Sequence, residues 1–276
     1  LFQALGATGC AMLALALLLW LPRPLVLALG VAALAGHNLF DRYNWVQDGA
    51  VGAVWQLLHG YLYVQRDGQL LLVADYSLIP WVAITLVGYG LGPLFSADPR
   101  KRDRALFWLG AGMLAAFVIL RGAHLYGDPG PWSAQQYLSR TVMAFLNVQK
   151  FPPSLHYILA TLGLVFVLTP LMARLRGPAA AFLRTFGATP LFSYVAHFFV
   201  MHALGLIALL VLGRDPALMF NAIGKMIAPE PGFVGSGFGL PAVYLAWVAG
   251  LAVLYPIARW WAGFKRRRSG WWLAYL

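Results

Sequence analysis

The sequence predicts an all-α fold, a polytopic integral membrane helix bundle with about seven transmembrane helices. Of its 276 residues, 61% are apolar and 11% are charged, whereas soluble domains are about 45–50% apolar and about 25% charged. Seven apolar stretches approach the roughly 20 residues that a helix needs to cross the hydrocarbon core. None alternates with a period of two, as the strands of a membrane barrel do. We expect one transmembrane domain over residues 1–276.

The seven predicted spans are rich in Leu, Ala, Val and Gly. They cover residues 1–21, 25–40, 76–95, 105–120, 155–172, 190–212 and 240–261. The chain starts inside the first apolar stretch, without the basic region and cleavage site of a signal peptide. We therefore expect that an N-terminal part of the domain is missing.

Charge divides the loops into two sets. Alternate loops on one side hold thirteen of the 20 Lys and Arg residues and two of the 9 acidic residues, and the other side holds seven of each. Because Lys and Arg concentrate in cytoplasmic loops, the first side and the C-terminus are expected to be cytoplasmic. Topology accounts for the net charge of +11, so the lipid bilayer is the expected partner and nucleic acid is not. Cys10 is the single cysteine, which excludes an internal disulfide and a cysteine metal cluster.

Long loops on the outer side are where function is expected. In the first, residues 51–64 are too short to span, and they suit a helix that lies at the membrane interface or folds back into the bundle. The alternative is an amphipathic surface helix with an incidental His59.

A second outer loop, RGAHLYGDPGPW, contains Arg121, His124 and Asp128 before a Gly-Pro turn. Arg121 and His124 share one helix face if the fourth span extends that far, and Asp128 orients either of them. Two interpretations stay open, a cluster that faces a substrate and an ion pair at the helix end that caps the turn.

The sixth predicted span contains two histidines, and an ionisable residue within a span usually faces a cavity or a partner. His197 and His202 lie five residues apart, about 140° around a helix, so they cannot chelate one metal ion from one face. Ser193, four residues before His197, is expected to fix its tautomer. The alternative for both histidines is structural, a hydrogen bond that links two helices.

None of the six histidines falls in a predicted cytoplasmic loop, which indicates a cavity that opens outward and is deepest near His197. Asn38 closes the second span, and Lys150 and His156 flank the break made by two prolines before the fifth span. A neutral histidine accepts a proton from an amine or hydroxyl, or carries an acyl group as a covalent intermediate. We therefore predict that the histidines are the reactive groups of the chain.

Six runs of the chain resemble bacterial membrane proteins related to heparan-α-glucosaminide N-acetyltransferase. They are LLLWLPRPLVLALGVAALAGHNLFD, YSLIPWVAITLVGYGLGPLF, LYGDPGPW, FLNVQKFPPSL, TFGATPLFSYVAHFFVMHAL and RRRSGWWLAYL. The resemblance keeps its order over essentially the whole chain. It implies an acyltransferase of the bacterial inner membrane that passes an acetyl group from cytosolic acetyl-CoA to an amino sugar or similar acceptor on the far side. No permanently bound cofactor or metal is implied.

The resemblance also assigns candidate residues. His197, in SYVAH, matches a Tyr-Val-x-His pattern of the family and is the first catalytic candidate, with His124 as the second. The expected acceptor contacts are Asn38, Arg121, Tyr126, Asp128, Lys150, His156 and His202. The expected contacts to the CoA phosphates are Arg174, Arg176 and Arg184, although positive-inside placement also explains these arginines. The Asp-His pair that the family carries further toward its N-terminus is absent from this chain.

Two other functions stay open. A transporter or exporter of a small polar or lipid-linked molecule would move its substrate without consuming acetyl-CoA, but the sequence contains no clear internal repeat. A non-catalytic membrane remnant would tolerate replacement of its histidines by glutamine. An assembly of identical chains is compatible with all three functions.

Overall fold

The structure is a computed structural model, and it describes residues 4–42, 49–66, 69–219, 237–268, 270 and 273. Helix is the dominant element of these residues. In chain order the α-helices are α1 (Ala4–Leu18), α2 (Arg23–Gly36), α3 (Gly49–His59), α4 (Leu78–Gly90), α5 (Gly92–Phe95), α6 (Pro99–Gly122), α7 (Leu138–Leu146), α8 (Leu155–Ala173), α9 (Pro178–Ala188), α10 (Pro190–Val211) and α11 (Leu240–Arg267). Short 3-10 helices cover His37–Arg42 and Pro216–Met219.

Each of the seven predicted stretches contains a helix, and the helical class is confirmed. Among the described residues, five helices are long and apolar enough to cross a membrane. They are Arg23–Asp41, Pro99–Gly122, Leu155–Ala173, Pro190–Val211 and Leu240–Arg267. The helices α1 and α4 are apolar but shorter. The protein is therefore a multi-pass helical membrane protein.

The fourth predicted span extends further in both directions than its apolar run. It begins at Pro99, because proline suits the first turn of a helix and the Asp98 side chain accepts hydrogen bonds from the backbone N–H groups of Arg100 and Lys101. It ends at Gly122, so Arg121 lies in its last turn.

One β-hairpin interrupts the helical fold, and the sequence analysis did not predict it. Strand β1 (Leu62–Arg66) pairs antiparallel with β2 (Gln69–Ala74), with Tyr63 opposite Val73. The helix expected over residues 51–64 therefore ends at His59, because the aromatic and β-branched residues that follow suit a strand.

The chain divides into two compact units, Leu1–Arg174 and Leu175–Leu276. In the first unit, α6 packs closely along α8, and a Cβ added to Gly110 would lie 2.6 Å from the carbonyl oxygen of Gly163. Side chains of α2, α4 and α8 meet in a core of Leu34, Ala83 and Ile158. A single domain over residues 1–276 stays a prediction.

Two ends of the first unit differ in chemistry. We call the end where α2 and α6 finish and α8 begins the polar end, because it contains buried Asn38, Arg121 and His156. We call the opposite end, where α6 begins and α8 finishes, the basic end, because it contains Arg100, Arg104 and Arg174.

The second unit contains α9, α10 and α11, and aromatic contacts join them. Phe182 of α9 lies 5.1 Å from Tyr255 of α11, and Phe192 of α10 stacks on Trp261 of α11 at 4.6 Å between ring centroids. The first contact holds α9 against α11, and the second holds α10, the helix that carries His197 and His202, against α11.

Candidate functional site

A polar network at the polar end links the 3-10 helix after α2 to α3 and α8. The amide of Asn38 donates to Asp41 Oδ2 at 2.8 Å, and its carbonyl oxygen accepts from the backbone N–H of Leu155 at 2.9 Å. Asn38 and Asp41 lie three residues apart, so they reach one another on the same side of the 3-10 turn. The free oxygen of Asp41, Oδ1, lies 3.6 Å from Nε2 of His59.

The His59 ring is held in one orientation and one tautomer. Its Nε2 lies 2.7 Å from the carbonyl oxygen of His37. Since a carbonyl only accepts, Nε2 carries the proton, and Nδ1 of the neutral ring is left as the proton acceptor. Trp55 stacks on the ring at 5.2 Å with an interplanar angle of 2°. The His37 carbonyl and Trp55 therefore orient His59 as a general base, and the Asp41 carboxylate lies close enough to stabilise positive charge on the ring.

This pair lines a cavity of about 460 Å³, within the size range of small-molecule sites. The lining residues are Asp41, Gln56, His59, Gly60, Tyr61, Tyr63, Pro129, Gln149 and Pro152. They combine a carboxylate, two amides and two phenols with an imidazole, so the cavity offers both charge and hydrogen bonds to a polar ligand.

Tyr63 has a fixed orientation at this cavity. Its hydroxyl donates to Asp75 Oδ1 at 3.0 Å. Burial raises the pKa of Tyr63 above its usual range, and the hydrogen bond to the Asp75 carboxylate raises it further. Tyr63 therefore keeps its proton near neutral pH.

A second polar network at the polar end is centred on Asp128, whose carboxylate already has partners within the protein. Asp128 accepts from the backbone N–H of Gly130 at 2.8 Å and of Gln149 at 2.9 Å, and from the Ser154 hydroxyl at 2.7 Å. Its Oδ1 also lies 3.5 Å from Nη1 of Arg121. These contacts occupy both carboxylate oxygens, so Asp128 has no free oxygen with which to bind a substrate.

The guanidinium of Arg121, one of the predicted acceptor contacts, also has its partners within the protein. Its side chain is 3% exposed, and it donates to four backbone carbonyls at the end of α7 and in the Gly-Pro turn, those of Gly130, Ala144, Phe145 and Asn147. Of the two interpretations left open, the structure has the ion pair that caps the turn. Arg121 and Asp128 therefore stabilise the fold at the polar end.

His124 does not share a helix face with Arg121, because the fourth span does not extend as far as His124. Helix α6 ends at Gly122, and His124 follows with a left-handed φ of 52°. Its exposed ring stacks on Trp132 at 5.2 Å. His124 does not line the cavity beside Asp41 and His59.

His156 is buried beside the second network. Both of its ring nitrogens are buried without a hydrogen-bond partner among the described residues. Gly127 has a φ of +124°, and a Cβ there would lie 3.0 Å from the His156 ring. Glycine thus permits both the turn and the approach of the ring, and His156 does not line the cavity.

Two further predicted contacts, Tyr126 and Lys150, lie at the surface of the polar end. Burial of its hydroxyl raises the pKa of Tyr126, as does the Asp41 charge, while hydrogen bonds with the backbone of Leu39 and Asn38 oppose the shift. The Lys150 ammonium lies over the Phe151 ring, 4.9 Å from its centroid.

His197 and His202 lie in the second unit, within α10. Nδ1 of His197 hydrogen-bonds to the Tyr194 carbonyl, and Nδ1 of His202 lies 2.7 Å from the Phe198 carbonyl. Ser193 hydrogen-bonds to Thr189 at 3.0 Å. The expectation that Ser193 fixes the His197 tautomer is therefore wrong, because a carbonyl one turn back on the same helix does so.

The three arginines expected at the CoA phosphates fall in different units. Arg174 lines a cavity at the basic end together with Arg100 and Arg104. Arg176 and Arg184 belong to the second unit, and Arg184 donates to the Leu175 carbonyl at 3.5 Å. Within the part of the chain that the structure describes, no three His, Cys, Asp or Glu residues are grouped to hold a metal ion.

Asp41 and His59 were not predicted as a pair from the sequence. The two residues lie eighteen positions apart in the sequence, so no local spacing pattern connects them. Two features of the sequence could have indicated the pair. His59 lies in a segment that is too short to span the membrane, and an acidic residue follows the second predicted span. Comparison with known protein families, curated proteins and solved structures finds no match for this chain.

Proposed function

We propose that the protein is an integral membrane acyltransferase, which transfers an acetyl group from cytosolic acetyl-CoA to an amino sugar or a similar acceptor on the outer side. The family resemblance motivates the proposal. The observation that carries it is the pair of Asp41 and His59 beside a cavity in a membrane protein. Acyl transfer to an amine or hydroxyl needs a base at the acceptor, and His59 offers Nδ1 for this role.

The chemistry follows from the two groups. The acceptor nitrogen or oxygen attacks the acetyl carbonyl carbon, the bond from that carbon to sulfur breaks, and CoA leaves as the thiolate. The acceptor's proton passes to Nδ1 of His59, and the nearby Asp41 carboxylate stabilises the resulting imidazolium. A protonated amine is also attracted to Asp41 before reaction.

The proposed topology has seven spans in a bacterial cytoplasmic membrane, with the basic end and the C-terminus cytoplasmic. The arginines of the basic end support it, because Lys and Arg concentrate on the cytoplasmic side. Helices α1 and α4 would be the two shorter spans. The donor would meet Arg176 and Arg184 through its phosphates.

Proteoliposomes test the proposal with the full-length protein, labelled acetyl-CoA on one side and glucosamine on the other. We expect labelled N-acetylglucosamine. The variant His59→Gln should lower the rate by about 10²–10⁴-fold, the usual contribution of a general base. Glutamine keeps an N–H donor for the His37 carbonyl but has no basic nitrogen, so unfolding of the variant should match that of the wild type.

Two comparisons make the test decisive. Lys101→Gln, at the other end of the first unit, is the control and should keep the wild-type rate. His197→Ala is run beside it because the resemblance places His197 in catalysis. Full activity in His59→Gln would remove His59 from the mechanism, and full activity in His197→Ala would remove His197. Movement of glucosamine without use of acetyl-CoA would replace the acyltransferase by a transporter.

A further inference from the structure

Three arginines at the basic end surround one cavity of about 350 Å³. Arg100 and Arg104 belong to the first turns of α6, and Arg174 directly follows α8. Phe107, Pro170 and Leu171 supply the apolar part of the lining. The cavity therefore combines positive charge with apolar surface.

The positive charge of this cavity is not neutralised by its acid. Asp103 is the acidic residue of the lining, and both of its close contacts are to Arg102, which donates from Nε at 2.9 Å and from Nη2 at 2.8 Å. Among the described residues, the guanidinium groups of Arg100, Arg104 and Arg174 form no ion pair with a carboxylate. Each of these three guanidinium groups can therefore bind an anion.

The N-terminus of α6 does not itself account for this site. Its first backbone N–H groups, those of Arg100 and Lys101, already donate to the Asp98 side chain. An anion in the cavity would therefore be held by guanidinium side chains, which match the geometry of a phosphate.

The position of the cavity points to the kind of phosphate. Both helices beside it are long and apolar enough to cross a membrane, and the arginines lie at their ends, the depth of lipid headgroups. Phe107 and Leu171 are 40% and 45% exposed, next to the arginines. A soluble phosphate makes no use of these side chains, whereas a phospholipid places its first acyl carbons against them.

We propose that this cavity is a binding site for the phosphate of an anionic phospholipid. Basic pockets between transmembrane helices are known to hold anionic headgroups on the cytoplasmic side. The guanidinium groups contact the phosphate oxygens, and the apolar lining contacts the start of the chains. This assignment does not rest on acyl transfer, and it places Arg174 with a lipid rather than with the CoA phosphates.

Native mass spectrometry of the purified full-length protein tests the site, with phosphatidylglycerol and phosphatidylcholine as probes. We expect phosphatidylglycerol to bind more tightly. The double variant Arg104→Gln, Arg174→Gln should weaken its affinity about twenty-five-fold, from roughly fivefold for each arginine near a membrane surface. Lys101→Gln removes a charge from the same turn of α6 without touching the cavity lining, and should change the affinity less than about twofold.

Three results would overturn the assignment. Equal binding of the two lipids would show that charge does not select the ligand, and wild-type affinity in the double variant would remove the arginines from the site. Displacement of phosphatidylglycerol by added CoA would assign the cavity to a soluble phosphate. If the double variant does not fold, the wild-type protein decides, because phosphatidylglycerol affinity must fall as salt increases. None of these measurements uses acetyl transfer, so they stand apart from the proposed activity.

Discussion

Arginines lie at both ends of α6, and they have opposite environments. Arg121, in the last turn, is buried and donates to four backbone carbonyls while it faces the Asp128 carboxylate. Arg100 and Arg104, in the first turns, are exposed and line a cavity without a carboxylate partner of their own among the described residues. The same helix therefore has a buried arginine that stabilises the fold at one end and exposed arginines that line a cavity at the other.

The difference shows what burial does to a charged side chain. A buried guanidinium must have its hydrogen bonds and its charge satisfied, because the cost of desolvation is several kcal/mol. Once satisfied, Arg121 and Asp128 have nothing left to offer a substrate. The proposed chemistry of the polar end accordingly falls to Asp41 and His59, which line the cavity.

The largest effect on stability is expected from Arg121→Met, which keeps much of the side-chain volume but removes every donor. It leaves Asp128 as a buried unpaired charge and several carbonyls without a partner, so the free energy of unfolding should fall by about 3–5 kcal/mol. Chemical unfolding in detergent micelles measures it. Arg121→Lys restores the charge without the planar fork and should recover part of the loss. A fall of less than about 1 kcal/mol in Arg121→Met, which is typical of a surface substitution, would contradict the proposal that Arg121 stabilises the polar end.

A smaller effect is expected midway between the two ends, where α6 touches α8. Gly110→Ala would place a methyl group 2.6 Å from the Gly163 carbonyl oxygen, and the helices must separate to admit it. Overpacking of this kind costs about 1–3 kcal/mol. The control is Gly112→Ala on the same helix, where a Cβ meets nothing within 4 Å. Equal unfolding free energies of the two variants would show that the contact of α6 with α8 does not limit stability.

Much of the fold was predictable from composition, since apolar runs of near-span length report directly on helices in a membrane. The hairpin at Tyr63 and Val73 was not predicted, although Asp67-Gly68 between two apolar runs is a hairpin signal. Transmembrane spans are recognised as apolar runs of about 20 residues, and strands of 5 and 6 residues are too short to appear on that scale.

The candidate site was less predictable, because its members meet through tertiary contacts. Asn38 was predicted to be an acceptor contact. In the structure its amide donates to Asp41, and the prediction of transmembrane spans gives no information about such a contact. His59 depends on α3 folding back onto the 3-10 turn at His37. His124 was misplaced for a local reason, since Gly122 ends the helix two residues before it.

The smallest effect is expected at the basic end. Arg104→Gln removes an exposed charge that has no carboxylate partner among the described residues, so the free energy of unfolding should change by less than about 0.5 kcal/mol, as for most surface substitutions. It is measured in detergent without added lipid, beside Arg121→Gln, the same substitution on the same helix. A loss at Arg104 as large as that at Arg121 would mean that Arg104 holds the fold. The contrast between the two ends would then disappear, and with it the reason to regard the arginines of the basic end as free for a ligand.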